Sequence, residues 1–86
     1  MRELARMFVD ELPARLEQIT RALDAHQISD LTRLAHQLKG AAGGYGFMPI
    51  TEKAREVETL ARSEQDKDGL IAQVDQLVEL CQRATV

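Results

Sequence analysis

The sequence predicts an all-α fold, an antiparallel up-down four-helix bundle that forms a single domain of 86 residues. Three observations predict it. Apolar residues recur at every third or fourth position in four segments, no segment shows the alternation of a β-strand, and short turn-forming stretches separate the segments. Because each helix is apolar on one face only, the four faces must be buried against one another, and an antiparallel bundle does so with short connections.

The first segment predicts a helix from about Glu3 to Ala25. An interior proline removes a backbone hydrogen bond, so we expect this helix to be kinked or split near Pro13. The stretch 26-HQISD-30 is a predicted turn, in which Ser29 or Asp30 is the N-cap of the next helix. The apolar stripe of the first helix consists of Leu4, Met7, Phe8, Leu12, Leu16, Ile19 and Leu23.

The second helix is predicted from about Leu31 to Tyr45, and 46-GFMP-49 ends it. Pro49 suits the first turn of a third helix, where a backbone N–H would have no helical partner. The polar stretch 63-SEQDKDG-69 separates the third helix from a fourth, with Asp66 or Asp68 as the cap. The apolar stripes are Leu31, Leu34, Ala35, Leu38, Ala41, Ala42 and Tyr45 in the second helix, Ile50, Ala54, Val57, Leu60 and Ala61 in the third, and Leu70, Val74, Leu77 and Cys81, flanked by Ile71 and Val78, in the fourth.

The composition argues against several classes of function. A protein that binds nucleic acid needs a basic surface, whereas this chain has a net charge of −3 and a pI of about 5.3. The single Cys81 forms no internal disulfide, in keeping with a reducing cytoplasm. No run approaches the roughly 20 apolar residues of a membrane span, and we recognise no signal peptide. We expect a cytoplasmic monomer that does not insert into membranes.

The second helix contains His36 and several glycines, although each glycine inside a helix costs roughly 0.8–1 kcal/mol relative to alanine. At about 100° per residue, the core-facing leucines on either side of His36 point about 160° away from it, so the imidazole faces outward. Gly40 and Gly43 share its row within about 40°. Lys39 flanks this row and Arg33 lies one turn earlier. A partner can therefore approach the imidazole closely, next to a cation.

Plainer interpretations account for some of these residues. His26 lies in a turn without evident partners, and a solvated surface histidine is the usual case there. Gly43, Gly44 and Gly46 are compatible with a helix C-terminus. Neither interpretation explains Gly40, which lies more than a turn inside the helix.

The string 36-HQLKGAAGGYG-46 closely resembles the signature of histidine-containing phosphotransfer (HPt) domains, which is approximately His-x-Leu-Lys-Gly-(Ser/Ala)-(Ser/Ala)-x-x-hydrophobic-Gly. Tyr45 is bulkier than the usual aliphatic residue at its position. The resemblance extends over nearly the whole chain, with 11-ELP-13 in the first helix. It also includes Glu58 on the third helix, at the family's Glu or Gln position 22 residues after the histidine.

The resemblance implies a phosphorelay carrier in two-component signalling. His36 would take a phosphoryl group from the phospho-aspartate of a response-regulator receiver domain and pass it to the aspartate of another receiver. The family has no kinase or phosphatase activity of its own, and its Mg²⁺ belongs to the receiver, so we expect no cofactor in this domain. A hybrid sensor histidine kinase is a further candidate partner, and whether the chain is free-standing or part of such a kinase stays open.

The residues around His36 suit this chemistry. A neutral imidazole attacks through one nitrogen best when the other donates its proton to an acceptor, and Glu58 is the candidate acceptor. A solvated Glu58 that pairs with Arg62 at i,i+4 is an equally open interpretation. Lys39 would stabilise the charge of the phosphoryl group, or be an ordinary exposed lysine. Gly40 would let the receiver close around the phosphoryl group and exclude water, as would Gly43.

Apolar residues beside the histidine row are candidates for docking the receiver. Phe47 and Val9 are predicted to contribute, with Arg33 at the other side of the row. Phe8 and Leu12 could also contribute, but their place in the apolar stripe favours the core.

Other kinds of site have little support. The two histidines lie ten residues apart across a turn, without metal-ligand spacing. A phosphate-binding loop at 40-GAAGGYG-46 would require a following Gly-Lys-Ser/Thr, and the serines lie in turns suited to capping rather than to hydrolysis. The remaining alternative is a helical docking module that binds a receiver, or another helical partner, and carries no phosphate.

Overall fold

The computed structural model describes residues 2–63 and 67–84, and it confirms the four-helix bundle. The helices are α1 (Arg2–Asp24), α2 (Ile28–Gly44), α3 (Met48–Ser63) and α4 (Lys67–Gln82). Both α1 and α3 pack against α2 and α4, whereas the diagonal pairs make no close backbone contact within the described residues. The helices thus occupy the corners of a bundle 39 Å long and 19 Å wide, in which α2 packs most extensively on α3.

The core consists of side chains from all four predicted stripes, at most 8% exposed. Each fully buried Leu, Ile or Val contributes roughly 1.5–3 kcal/mol through the hydrophobic effect. The helices keep a charged face towards solvent, and none within the described ranges is long and apolar enough to cross a bilayer. The buried apolar residues are Phe8, Leu12, Leu16, Ile19, Ala22, Leu31, Ala35, Leu38, Ala42, Ile50, Ala54, Val57, Ala61, Leu70, Val74, Leu77 and Cys81.

Among the predicted stripe residues, Leu4, Met7 and Tyr45 are 49%, 56% and 38% exposed, and Ile71 beside the fourth stripe is 39% exposed. Others are half-buried against the core, namely Leu23, Leu34, Ala41, Leu60 and the flanking Val78. At 1.5 Å per residue, the 23 residues of α1 extend about 34 Å and the 16 residues of α3 only about 24 Å. We attribute the exposure of Leu4 and Met7 to this excess length, since Phe8 is the first buried side chain of α1. Tyr45 stacks on Phe8 with ring centroids 5.4 Å apart, so one face of its ring is covered.

α1 is a single helix that continues through Pro13, so of the two expected alternatives, a kink or a split, the split does not occur. The proline ring leaves the carbonyl of Val9 without its usual helical donor. Leu12 and Leu16 are nonetheless buried on either side of it, on one face of the helix. The burial of this continuous stripe offsets the loss of one hydrogen bond.

The turn between α1 and α2 differs from the prediction, because α2 begins at Ile28 with Gln27 as its N-cap. Ser29 and Asp30 therefore lie inside the first turn, where the charge of Asp30 favours the positive end of the helix dipole. α1 ends in a Schellman motif, with hydrogen bonds from His26 N–H to the Leu23 carbonyl at 3.1 Å and from Gln27 N–H to the Ala22 carbonyl at 2.9 Å. Because of this motif, α2 begins before Ser29 and Asp30, the residues whose side chains are best suited to capping.

Gly46 ends α2 in the same way. Its φ of +81° lies in the left-handed region, and Phe47 N–H donates to the Ala42 carbonyl at 2.9 Å across it. Gly44, by contrast, is the last residue of α2 and has helical backbone. Pro49 lies in the first turn of α3, as predicted.

Lys53 ties α3 to α4. Its ammonium group donates to Glu56 on its own helix and to Gln73 and Gln76 on α4, each at 2.8 Å. The predicted cap Asp68 lies within the first turn of α4, so it is not the N-cap, and the other candidate, Asp66, lies outside the described residues.

Gly46 and Gly44 should respond oppositely to alanine. A Cβ at the left-handed Gly46 costs about 1–2 kcal/mol, so Gly46→Ala should lower the free energy of unfolding by that amount. A Cβ at Gly44 would meet nothing within 4 Å, and Gly44→Ala should raise the free energy of unfolding by up to about 1 kcal/mol. Urea titration followed by circular dichroism measures both, and equal effects would contradict this account of the helix end.

Candidate functional site

The outer face of α2 presents the predicted histidine row. The side chain of His36 is 62% exposed, whereas Ala35 and Leu38 on the opposite face are completely buried. Gly40 and Gly43 are exposed on the same side as His36. The imidazole therefore stands on a surface that lacks side chains in the direction of the helix C-terminus.

Glu58 reaches this row from α3. Its side chain is only 6% exposed, and both carboxylate oxygens are used. Oε2 lies 3.1 Å from Nδ1 of His36 and 2.7 Å from Nη2 of Arg62, while Oε1 accepts a hydrogen bond from Nζ of Lys39 at 2.8 Å. The structure thus brings three predicted site residues together and adds Arg62. Glu58 contacts His36 and pairs with Arg62 at the same time. The alternative of a solvated Glu58 is wrong, because the residue is buried between the two helices.

The surroundings of Glu58 keep it ionised. The hydrogen bond from Lys39 lowers the pKa of Glu58, burial opposes this, and the hydrogen bond with His36 and the charges of Lys39 and Arg62 lower the pKa further. An ionised carboxylate only accepts hydrogen bonds, so Nδ1 of His36 must be the donor. In the neutral ring this leaves the proton on Nδ1 and a free lone pair on Nε2. The contact therefore selects one tautomer and one nucleophilic nitrogen.

The glycines of the row are not required by packing inside the chain. A Cβ at Gly40 would meet nothing within 4 Å, and one at Gly43 would lie 3.5 Å from Oγ1 of Thr51, an ordinary contact. Thr51 is buried beneath this part of α2, and its hydroxyl donates to the carbonyl of Lys39 at 3.4 Å. Sequence reasoning missed Thr51, although a threonine one helical turn from Ala54 on the inner side of α3 is a detectable signal.

Two predicted docking residues lie apart from this cluster. Arg33 is exposed and pairs with Asp30 at 3.7 Å, and no contact joins it to Glu58. Phe47 is half-buried against Phe8, with ring centroids 5.3 Å apart. Phe8 belongs to the core, as expected. Near Phe47, the exposed side chains of Tyr45 and Met48 add apolar surface beyond the C-terminal end of α2.

The remaining groups with reactive side chains offer little chemistry. Nε2 of His26 lies 3.2 Å from Nζ of Lys67, so this histidine has a partner that the sequence did not reveal. Burial raises the pKa of the Cys81 thiol to about 11, which keeps it protonated near neutral pH. Within residues 2–63 and 67–84, no three His, Cys, Asp or Glu side chains are grouped so that they could hold a metal ion.

The chain as a whole is similar to a known family of domains. A family model described as the Hpt domain matches residues 3–85, nearly the whole chain. Neither a curated protein nor a solved structure matches the chain significantly.

The ion pairs of Glu58 should make stability depend on pH. The pKa of Glu58 in the folded protein lies below its unfolded value of about 4.3, so its pairs stabilise the fold above that pH. The contribution is lost as the pH falls through the folded pKa. The difference in unfolding free energy between wild type and Glu58→Gln should therefore be largest near pH 6–7 and shrink below about pH 4.

Urea titrations at several pH values measure this difference. Glu79→Gln is the control, since it breaks an exposed i,i+4 pair on α4 and should change stability by less than about 1 kcal/mol. A Glu58→Gln difference that stays constant down to pH 3 would contradict an ionised, stabilising Glu58.

Proposed function

The chain belongs to the Hpt domain family, whose members carry phosphoryl groups in two-component signalling, and we propose that His36 is the residue that carries the group here. The placement of its ring supports this most strongly. Nδ1 lies 3.1 Å from the buried carboxylate of Glu58, while the side chain as a whole is 62% exposed. This leaves Nε2 as the nitrogen for an incoming substrate.

The proposed substrate is the phospho-aspartate of a receiver domain. The lone pair of Nε2 attacks the phosphorus atom, so that an N–P bond forms while the P–O bond to the aspartate breaks. The aspartate leaves as a carboxylate with the bonding electron pair. Because Nδ1 keeps the proton of the ring, His36 becomes an imidazolium, and Glu58 accepts the hydrogen bond of the charged ring.

The onward step is the reverse reaction with a second receiver. An aspartate carboxylate of that receiver attacks the phosphorus atom, the N–P bond breaks, and its electron pair returns to Nε2. His36 is then neutral again, with its proton still on Nδ1. No proton is exchanged with water in either direction, so a carrier of this kind needs no general base beyond the fixed Glu58 contact.

Lys39 and Arg62 offset the negative charge that Glu58 places beside His36. A lone carboxylate beside the ring would repel the phosphoryl group, but here two cations pair with one Glu58 and leave the cluster net positive. In the structure Lys39 binds Glu58 rather than projecting into solvent. We propose that its ammonium group is shared between Glu58 and the phosphoryl oxygens during transfer.

The glycine row gives the receiver access. A phosphoryl group can pass from Asp to His only if the two active sites approach within bonding distance, and side chains at Gly40 or Gly43 would stand in the way. We expect Mg²⁺ to be held by the receiver, and the apolar side chains of Tyr45, Phe47 and Met48 to provide contact area. The partners would be receivers of response regulators or of a hybrid sensor histidine kinase in the cytoplasm.

Replacement of His36 tests the assignment. Incubated with a ³²P-labelled phospho-receiver and Mg²⁺, the wild-type chain should become labelled and His36→Gln should not. His26→Asn changes the other histidine and should be labelled like wild type. Asparagine is chosen because it tolerates the left-handed backbone at this position. Labelling of His36→Gln would refute the proposal, and a wild-type chain that binds the receiver without being labelled would favour the docking module.

Gly40 is tested by a series of side-chain sizes. The free energy of unfolding of Gly40→Ala should be up to about 1 kcal/mol higher than that of wild type, since the position is helical and has room for a Cβ. Gly40→Gln should also fold but accept the phosphoryl group about ten- to hundredfold more slowly, because its side chain blocks the approach. Gly44→Gln is the matched control, with the same side chain at an equally open position further from His36. Unchanged transfer in Gly40→Gln would remove access as the reason for this glycine.

A further inference from the structure

Arg62 shares one oxygen of Glu58 with the imidazole of His36. Nη2 of Arg62 lies 2.7 Å from Oε2 of Glu58, and Nδ1 of His36 lies 3.1 Å from the same atom. Lys39 binds the other oxygen, Oε1, at 2.8 Å. The guanidinium group and the N–H of the ring therefore both donate to a single carboxylate oxygen. The contact with the guanidinium group is the shorter of the two.

Glu58 is held by contacts other than the one with Arg62. Glu58 as a whole residue is only 4% exposed, and it lies on a continuous helix. Its Oε1 accepts a hydrogen bond from Lys39 across the seam between α2 and α3. Arg62, in contrast, has a side chain that is 65% exposed and can contribute little to packing. The effect of Arg62 on His36 is therefore electrostatic and passes through Oε2.

We propose that Arg62 sets how readily phosphorylated His36 gives up its phosphoryl group, by limiting the negative charge that Glu58 offers to the ring; this rests on the proposed function. Phosphorylation of Nε2 makes the ring an imidazolium, which a carboxylate at Nδ1 stabilises. Every part of that stabilisation favours phosphohistidine over phospho-aspartate. Because Arg62 neutralises the same oxygen, it keeps phosphohistidine unstable enough to pass the group on.

Arg62 could also stabilise phosphohistidine by attracting the phosphoryl group. In this geometry that attraction is weaker than the effect of Arg62 on the charge that Glu58 offers to the ring. Nε2 lies across the ring from Nδ1, so a phosphoryl group on Nε2 lies on the side of the ring away from Oε2 and its guanidinium partner. Charge interactions decrease with distance and with exposure to solvent. Arg62 therefore acts mainly on the charge of the ring.

The equilibrium of phosphoryl transfer tests this proposal. A ³²P-labelled phospho-receiver with Mg²⁺ is mixed with wild type, Arg62→Met or Arg62→Lys until the ratio of phosphohistidine to phospho-aspartate is constant. Arg62→Met should shift this ratio towards phosphohistidine by about two- to fivefold, within the range that exposed charge pairs contribute, and slow onward transfer by a similar factor. Arg62→Lys keeps a cation at i,i+4 from Glu58, so its ratio should stay close to that of wild type.

Arg83→Met is the matched control. Arg83 also pairs with a glutamate four residues earlier, Glu79. It directly follows α4, a helix that makes no close backbone contact with α2. The ratio of phosphohistidine to phospho-aspartate in Arg83→Met should equal that of wild type. Circular dichroism of all variants checks that each retains the helical fold.

The ¹⁵N NMR signals of the His36 ring separate the electrostatic effect from a structural one. Nδ1 should show the chemical shift of a protonated nitrogen in wild type and in Arg62→Met alike, because Glu58 stays in place. Loss of that tautomer in Arg62→Met would mean that Arg62 positions Glu58, which would overturn the proposal.

An unchanged ratio in Arg62→Met, or a shift towards phospho-aspartate, would overturn it too. In either case labelled wild type and unlabelled His36→Gln in the same experiment would leave the carrier function intact. If wild type itself is not labelled, the proposed function fails first, and the proposal for Arg62 fails with it.

Discussion

A carboxylate buried between two helices is the constraint on which this structure depends. Glu58 is almost inaccessible to water, and a buried charge without partners destabilises a protein by several kcal/mol. Its partners come from both sides of the seam, since His36 and Lys39 belong to α2 and Arg62 to α3. The two helices must therefore keep their relative rotation and height for Glu58 to stay paired. The most extensive helix contact of the bundle and the candidate site are consequently the same feature.

This arrangement lets one set of contacts serve both stability and chemistry. The cations that compensate Glu58 also keep it ionised, and the ionised carboxylate holds the proton on Nδ1 of His36. Nε2 is thus the ring nitrogen that keeps a free lone pair. A substitution that disturbs the charge of Glu58 is expected to act on stability and transfer together, whereas one at Arg62 separates the two, because Arg62 is exposed while Glu58 keeps its contact with Lys39.

Gly40 and Gly43 lower the stability of α2 without serving its packing, which fits the access that we propose for them. Neither Gly40 nor Gly43 is close enough to its neighbours to exclude a methyl group, so their cost in helix stability has no compensation inside the chain. Gly46 is different, since its left-handed backbone ends α2 and positions the turn into α3. Glycines in one short segment therefore differ in what they do: the fold requires Gly46, whereas the role that we propose for Gly40 and Gly43 is in the approach of a partner.

The periodicity of the sequence by itself determined the four helices, most of the buried stripe and the outward direction of His36, because these follow from the rotation per residue within one helix. It placed the N-cap of α2 at Ser29 or Asp30, which is wrong, because the Schellman motif at the end of α1 lets α2 begin at Ile28. Of the two cap candidates for α4, Asp68 lies inside the first turn and Asp66 lies outside the described residues. Only the tertiary structure decided that Glu58 is buried, that it contacts His36, Lys39 and Arg62 at once, and that Leu4 and Met7 are exposed. The physical reason is that a residue's angle around its own helix says nothing about how far neighbouring helices slide or turn against each other. Those offsets come from packing of all four stripes together, and they bring Nδ1 of His36 to the carboxylate.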